Sequence, residues 1–319
     1  MSTEPIELVT FGETMGVLAT DELGPLRNGH RMVLGLAGAE SNVAIGVRRL
    51  GHSVAWVGRV GADPIGRLVL RELRAEGIDL SHAVVDADAP TGFMLKVRRT
   101  TATSEVIYAR RNSAGSALSP AEVPTDLIAR ARVLHITGIT PALSNSARDA
   151  VMAAVEIARA HDVRVSLDIN HRSALWSDDD ARPVLTKLVE HCDFIFASEN
   201  EAALVVGPRS ALDAAHALAD LGGGHAVVKR GDLGYVAWID GKEHSGAAHS
   251  VPVADPVGAG DGFVAGYLAS WLDGARPDDA LRTANLVGAC VVAVSGDWEG
   301  LPTRAELEAF GARTDAVTR

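Results

Sequence analysis

Asp255-Pro256-Val257-Gly258-Ala259-Gly260-Asp261-Gly262-Phe263 reads as a strand end that passes through small residues into a helix. With little or no side chain to hold them off, Gly258, Ala259 and Gly260 let backbone N–H groups come close to an anion. A helix N-terminus adds unpaired donors and the positive end of the macrodipole, so the stretch reads as an anion hole for a phosphoryl group in flight. Asp261 falls in the first turn, where its carboxylate can accept the proton of an attacking hydroxyl. Ordinary carboxylate basicity suffices, because in a loose transition state the nucleophile loses its proton late. Taken alone, G-x-G-D is more readily a glycine-rich helix start with Asp as a cap.

Outward from this stretch, strand-like and helix-like runs alternate. Residues 6–11 are a short apolar run stopped by Gly12, which predicts a buried strand near mid-sheet. Val43, Ala44, Val47 and Leu50 recur at helical spacing and predict a helix over 39–50, closed by Gly51. A strand follows over 54–60, then a helix opened by Pro64 and ended at Gly77. After Pro120 come strand 133–137, helix 144–161, strand 165–169, helix 180–191, strand 194–197, further helices and strand 226–229. Long helical patterns cover 260–272 and 277–294, and Thr303 is a plausible cap, with Glu306, for a last helix. This rhythm predicts a three-layer α/β/α architecture around a mostly parallel sheet. Hairpin-like regions at 17–34 and 92–110 interrupt it. They are expected to fold together as a small β lid, drawn from about 15–35 and 86–112, on a single domain spanning 1–319.

Composition narrows the partners. A net charge of −11 repels a phosphate backbone, no Lys/Arg run makes a basic stripe, and 4% aromatic residues leave few stacking platforms, so nucleic acid is not expected. Cys192 and Cys290 are too isolated for a disulfide framework and predict reduced thiols. The N-terminus has no signal-peptide pattern and no stretch is long and apolar enough for a membrane span, which predicts a cytoplasmic protein without membrane contact. A Walker pattern is absent, since Gly24 and Gly29 are followed by His30, and no Rossmann fingerprint follows a strand.

The string 255–263 fits the second signature of the ribokinase-like, or phosphofructokinase-B, carbohydrate kinases, and the chain resembles that family along nearly its whole length. Further marks are Gly12-Glu13, Gly38-Ala39-Glu40-Ser41-Asn42-Val43-Ala44 with Leu50-Gly51, and Gly58-Arg59-Val60-Gly61-Ala62-Asp63-Pro64-Ile65-Gly66. Within the family the chain is most similar to 2-keto-3-deoxygluconate kinases. That rests on Gly38-Ala39-Glu40-x-Asn42, Tyr108-Ala109-Arg110 leading to Ser113-Ala114-Gly115, Asp168-Ile169-Asn170-His171-Arg172 before Leu175-Trp176, and Gly296-Asp297-Trp298-Glu299-Gly300-Leu301-Pro302.

The resemblance implies transfer of the ATP γ-phosphoryl group to a primary hydroxyl of a sugar or sugar acid, with Mg²⁺ and with a monovalent cation such as K⁺ as a further candidate. Asp261 would be the base, with Gly258, Ala259 and Gly260 forming the anion hole. Gly38 and Asn42 resemble sugar-hydroxyl contacts, with a helix-start role for Asn42 as the alternative, and Tyr108 is a lid contact. Arg110 and Arg172 suit the carboxylate of a 2-keto acid, because a guanidinium binds carboxylates or phosphates bidentately. Asp168 and Asn170 follow a strand end, where open α/β sheets place ligands. Lys229, Gly231, Gly234 and Asn285, with Gly258 and Gly260, resemble nucleotide-site residues, although a solvated Lys and a helix-face Asn fit the sequence equally. Glu201 matches the acidic end of an N-x-x-E motif that orders Mg²⁺ through water, but Ser198 stands where that motif has Asn. Met94, after Thr91-Gly92-Phe93, replaces a Tyr expected in the lid. Alternatives are a fructokinase or ribokinase-type sugar kinase, and a catalytically silent binder of sugar and nucleotide. The family's lids also lead to the expectation of a homodimer or larger homo-oligomer.

Overall fold

In a computed structural model describing residues 5–100 and 103–317, fourteen strands are seen. They are β1 (Leu8–Phe11), β2 (Met15–Thr20), β3 (Met32–Ala37), β4 (Val54–Val57), β5 (Arg59–Gly61), β6 (Val84–Asp86), β7 (Phe93–Arg98), β8 (Ser104–Ala109), β9 (Val133–Thr137), β10 (Arg164–Asp168), β11 (Phe194–Ser198), β12 (His225–Lys229), β13 (Tyr235–Ile239) and β14 (Lys242–Gly246). The large sheet has the order β14-β13-β12-β11-β10-β9-β1-β4. Its neighbours from β4 to β12 pair in parallel, and helices cover both faces over two apolar cores. This is the α/β/α layering around a mostly parallel sheet that the alternation leads one to expect.

Three details differ from expectation. β1 lies one strand from an edge, because β4 pairs on its outer side and β9 on its inner side. The strand order therefore reverses at β1, making a crevice at the strand ends there. The strand expected over 54–60 splits into β4 and β5, and β5 leaves the large sheet to pair with β6. The third is the antiparallel β13–β14 edge. Its turn, Asp240-Gly241, has φ of 50° and 76°, the paired positive values of a tight hairpin turn that an Asp-Gly dipeptide favours. Boundaries elsewhere shift by a few residues for local reasons. The helix expected over 180–191 runs Asp178–Val189, since the Ser177 side chain caps it by accepting the Asp180 N–H.

The two hairpin-like regions form a second sheet, β3-β2-β7-β8. β2 and β7 pair in parallel, with Gly16 opposite Phe93, so two hairpins join side by side. This small sheet stands over the strand ends where the crevice opens.

The helix Ala259–Leu272, which begins with the anion-hole residues, is buried on nearly every face. Phe263 and Tyr267 pack edge-on against Phe196, and Val264 and Leu268 are fully enclosed. Burying each such side chain contributes about 1.5–3 kcal/mol. On one flank the helix Ala39–Arg49 crosses so closely that a Cβ at Gly46 would lie 2.5 Å from that of Ala265. On another flank the helix Pro277–Val292 packs along it. Among the described residues, no helix is long and apolar enough to cross a membrane.

Candidate active site

Between the small sheet and the strand ends lies a cleft of about 520 Å³. Gly38, Asn42, Tyr108, Arg110, Asp168, Asn170, Arg172 and Asp261, the residues singled out on the sugar side, all line it. They come from four separate stretches of chain. A second cavity of about 670 Å³ adjoins it, lined by Gly231, Gly234 and Asn285 together with the apolar Phe263, Val253 and Val292. Ser198, Lys229, Pro256 and Gly260 line both chambers. Gly258 faces only the first and Ala259 only the second. The anion-hole stretch is thus the sill between two compartments.

Gly258 precedes the helix with φ of 79°, a left-handed conformation that glycine adopts without steric cost. The first i→i−4 bond there runs from the Gly262 N–H to the Gly258 carbonyl, so the amides of 259–261 lie ahead of the intrahelical ladder. Asp261 is not the cap, since Gly258 holds that position. Its Oδ2 accepts a 2.8 Å bond from Asn42 Nδ2. Asn42, in the first turn of the helix Ala39–Arg49, therefore orients the Asp261 carboxylate rather than capping its own helix. Withdrawal from water, and then the neighbouring Asp168 charge, push the Asp261 carboxyl up to about 7. Poised there, the group can exchange a proton near neutrality.

Behind it, Lys229 Nζ donates to both oxygens of Asp168, at 2.8 and 2.7 Å. Burial opposes the lysine's charge, but Asp168, Glu201 and Asp261 outweigh it and hold Lys229 above its ordinary value. Lys229 is thus a fixed cation under the sill, and the solvated-lysine alternative is excluded. Asn170, buried with φ of 37°, keeps an uncommon backbone conformation of the kind that clusters at functional sites. Both oxygens of Glu201 meet backbone N–H groups: Oε2 closes a capping box with Ser198 at 2.7 Å, and Oε1 accepts from His171 at 3.0 Å. Ser198, in the place of the motif's Asn, is therefore a helix cap. Asn285 Nδ2 donates to the Ala247 carbonyl at 2.8 Å, holding the rim of the second chamber.

Four acids and a lysine join the site that sequence reading assigned no role. Glu13 is buried and accepts from Arg110 Nε at 2.9 Å and from Ser113. Arg110 is thereby fixed, and it also lies over the Tyr108 ring at 5.7 Å. Glu40 Oε1 accepts from Thr137 and Thr140, both at 2.7 Å, and burial raises its pKa. Asp297 is pushed up to about 7 by burial. Lys96, on β7, pairs with Asp255 at 2.6 Å. Among the described residues, no cluster of three or more His, Cys, Asp or Glu side chains forms a direct metal cage.

Residues 6–304 match the pfkB family carbohydrate kinases. The chain is 36% identical over 308 residues to the 2-dehydro-3-deoxygluconokinase of Bacillus subtilis (strain 168), covering 96% of this chain and 95% of that one. It is 37% identical to the 2-dehydro-3-deoxygluconokinase of Thermoproteus tenax, covering 95% and 93%. A crystal structure of a putative ribokinase II from E. coli, in complex with ATP and Mg²⁺, superposes with a TM-score of 0.89 at 26% identity over 97% of this chain and 99% of that one. With its anion-hole stretch, its two chambers and these full-length matches, the chain is a sugar kinase that belongs to the pfkB family of carbohydrate kinases.

Proposed function

We propose that the protein transfers the γ-phosphoryl group of ATP to a primary hydroxyl of 2-dehydro-3-deoxygluconate, the 2-keto-3-deoxy sugar acid. The observation that carries this is the pair of guanidinium groups, Arg110 and Arg172, lining the same cleft as Asp261. Arg110 is already forked on Glu13, but Arg172 makes no ion pair among the described residues, and a substrate carboxylate would supply it with an anionic partner that a neutral hexose lacks. Both curated relatives described above carry the name of that activity.

In this reading the sugar occupies the chamber under the small sheet, held by Gly38, Asn42, Tyr108, Asp168 and Asn170, and ATP occupies the second chamber beside Gly231, Gly234 and Asn285. Asp261 removes the hydroxyl proton as the amides at 258–260 stabilise charge on the transferring group. Lys229 and Arg172 add fixed positive charge. Glu201 and Asp168 are hard oxygen donors at the rim, which fits a Mg²⁺ ion held largely through water. When bound, that ion neutralises phosphate charge. A monovalent cation such as K⁺ is a further candidate activator. The small sheet acts as a lid that excludes water from the cleft, within a single domain over 1–319.

An ADP-release assay with 2-dehydro-3-deoxygluconate, fructose and ribose tests the substrate. The acid should win by kcat/KM, and Arg110→Met or Arg172→Met should erase about 2–5 kcal/mol of that preference. Comparable kcat/KM for fructose would favour a fructokinase instead, and ligand-induced stabilisation without ADP would favour a silent binder.

A homodimer built on the lid is proposed too. Val33 (55% exposed), Leu34 (49%) and Ile107 (53%) lie on its two edge strands, where unpaired strand edges invite a second copy. Sedimentation should give a dimer, converted to monomer by Leu34→Asp with Ile107→Asp. A monomeric unsubstituted protein overturns it.

A further inference from the structure

Lys96 is 4% exposed, and lysines are almost never enclosed to that degree without a partner. Its ammonium lies 2.6 Å from Asp255 Oδ2, an acid 159 residues away that opens the anion-hole stretch. As a means of holding the fold together such a pair is poor, because desolvating both charges offsets most of their attraction. An apolar pair of equal volume would serve stability as well. The placement is more informative.

The other oxygen of Asp255, Oδ1, accepts the Val257 N–H at 3.2 Å, and the Asp255 N–H is tied to the Val292 carbonyl at 3.3 Å. One carboxylate thus bridges the small sheet and the backbone leading to Gly258. Lys96 also faces Asp297, whose carbonyl packs against Gly258, 1.9 Å from where a Cβ would stand. The lysine lines both the sugar cleft and a smaller cavity of about 200 Å³ behind it, so it forms the partition between them. Its strand carries Met94 into the same cleft.

We propose that Lys96 is a positioning residue, a latch whose ammonium docks on Asp255 when the small sheet closes and sets the anion-hole amides in their working geometry. With the sheet raised, Asp255 loses its cation and the loop its constraint. Sugar binding under the sheet is thereby coupled to assembly of the phosphoryl site, which restrains transfer to water. This rests on the lid reading, which has its own check: hydrogen exchange at 93–98 should slow when sugar binds the unsubstituted enzyme.

The test is a double-substitution cycle with Lys96→Met, Asp255→Asn and the pair together, assayed with the sugar turned over fastest. A misplaced loop should lower kcat by about 10²-fold in each single variant, with KM for ATP within about threefold. The double variant should be no worse than the poorer single one, because one interaction is lost once. Asp255→Asn keeps the shape and an acceptor oxygen but leaves the Lys96 ammonium without its anion, and this change made in the loop should speed amide exchange at 93–98 on the small sheet, while β9 to β12 stay protected. Multiplying losses, a loss confined to KM for the sugar, or unaltered exchange at 93–98 in Asp255→Asn would each overturn the latch.

Discussion

Asp261→Asn is expected to lower kcat by about 10²–10⁴-fold while KM for ATP stays close to that of the unsubstituted enzyme. The side chain lines the sugar cleft and not the second chamber, so its loss removes a proton acceptor without disturbing nucleotide contacts. The amide of the variant keeps an oxygen for Asn42, which donates to Asp261 Oδ2 at 2.8 Å, and the helix start is retained. The pH profile adds a second signature. Because burial pushes this carboxyl up to about 7, kcat/KM should climb with pH and level off above that value, as the base loses its proton. The variant should lack that limb. Stability runs the other way: a carboxyl raised from 3.8 binds its proton more tightly in the folded chain, so stability declines as pH rises from that value through about 7. Asp261→Asn should therefore melt no lower than the unsubstituted protein at about pH 8. Near-normal turnover in the variant would remove the base from the reaction.

Gly258→Ala is the second large effect. At φ of 79° the residue is left-handed, which costs an L-residue roughly 1–2 kcal/mol. The larger obstacle is that the new Cβ would lie 1.9 Å from the Asp297 carbonyl oxygen. No rotamer relieves a contact between Cβ and main chain, so the sill and the 296–299 turn must separate. Amides aimed at developing charge then move away, and losing one such donor costs about 10²–10³ in kcat. Gly260→Ala supplies the control: its Cβ would first meet the Lys229 ammonium at 3.3 Å, the mobile end of a long side chain. Steady-state assays should find Gly258→Ala slower by about 10²-fold and Gly260→Ala by less than about 10-fold. Equal losses would mean that the close approach at Gly258 does not set the amides.

What the sequence disclosed follows the range of its signals. The anion-hole stretch is contiguous, so strand end, small residues and helix start are legible within nine positions. The alternation of elements is equally local, and it yields the parallel core of the large sheet. Arg110 could be suspected from its chemistry, but its partner Glu13 is 97 residues away. Nothing near either residue announces the pairing. Glu40 reads as a polar residue at a helix start until the fold brings Thr137 and Thr140 to it, and Lys96 is a lysine in a hairpin like any other until β7 is laid against Asp255. The β13–β14 edge is different, since Asp240-Gly241 was a usable turn signal between alternating residues. Met94 in place of an expected Tyr was visible, and the structure puts it in the sugar cleft.

The close crossing at Gly46, with the burial of the helix Ala259–Leu272 on its other flanks, has a consequence for how preference can change. Parts that handle phosphate are welded into the interior and tolerate little drift. Tyr108, Met94 and Val106 are mounted on the separate small sheet. Selection, or a protein engineer, can therefore trade one sugar for another by rewriting that sheet, provided a cation at position 96 still meets its acid.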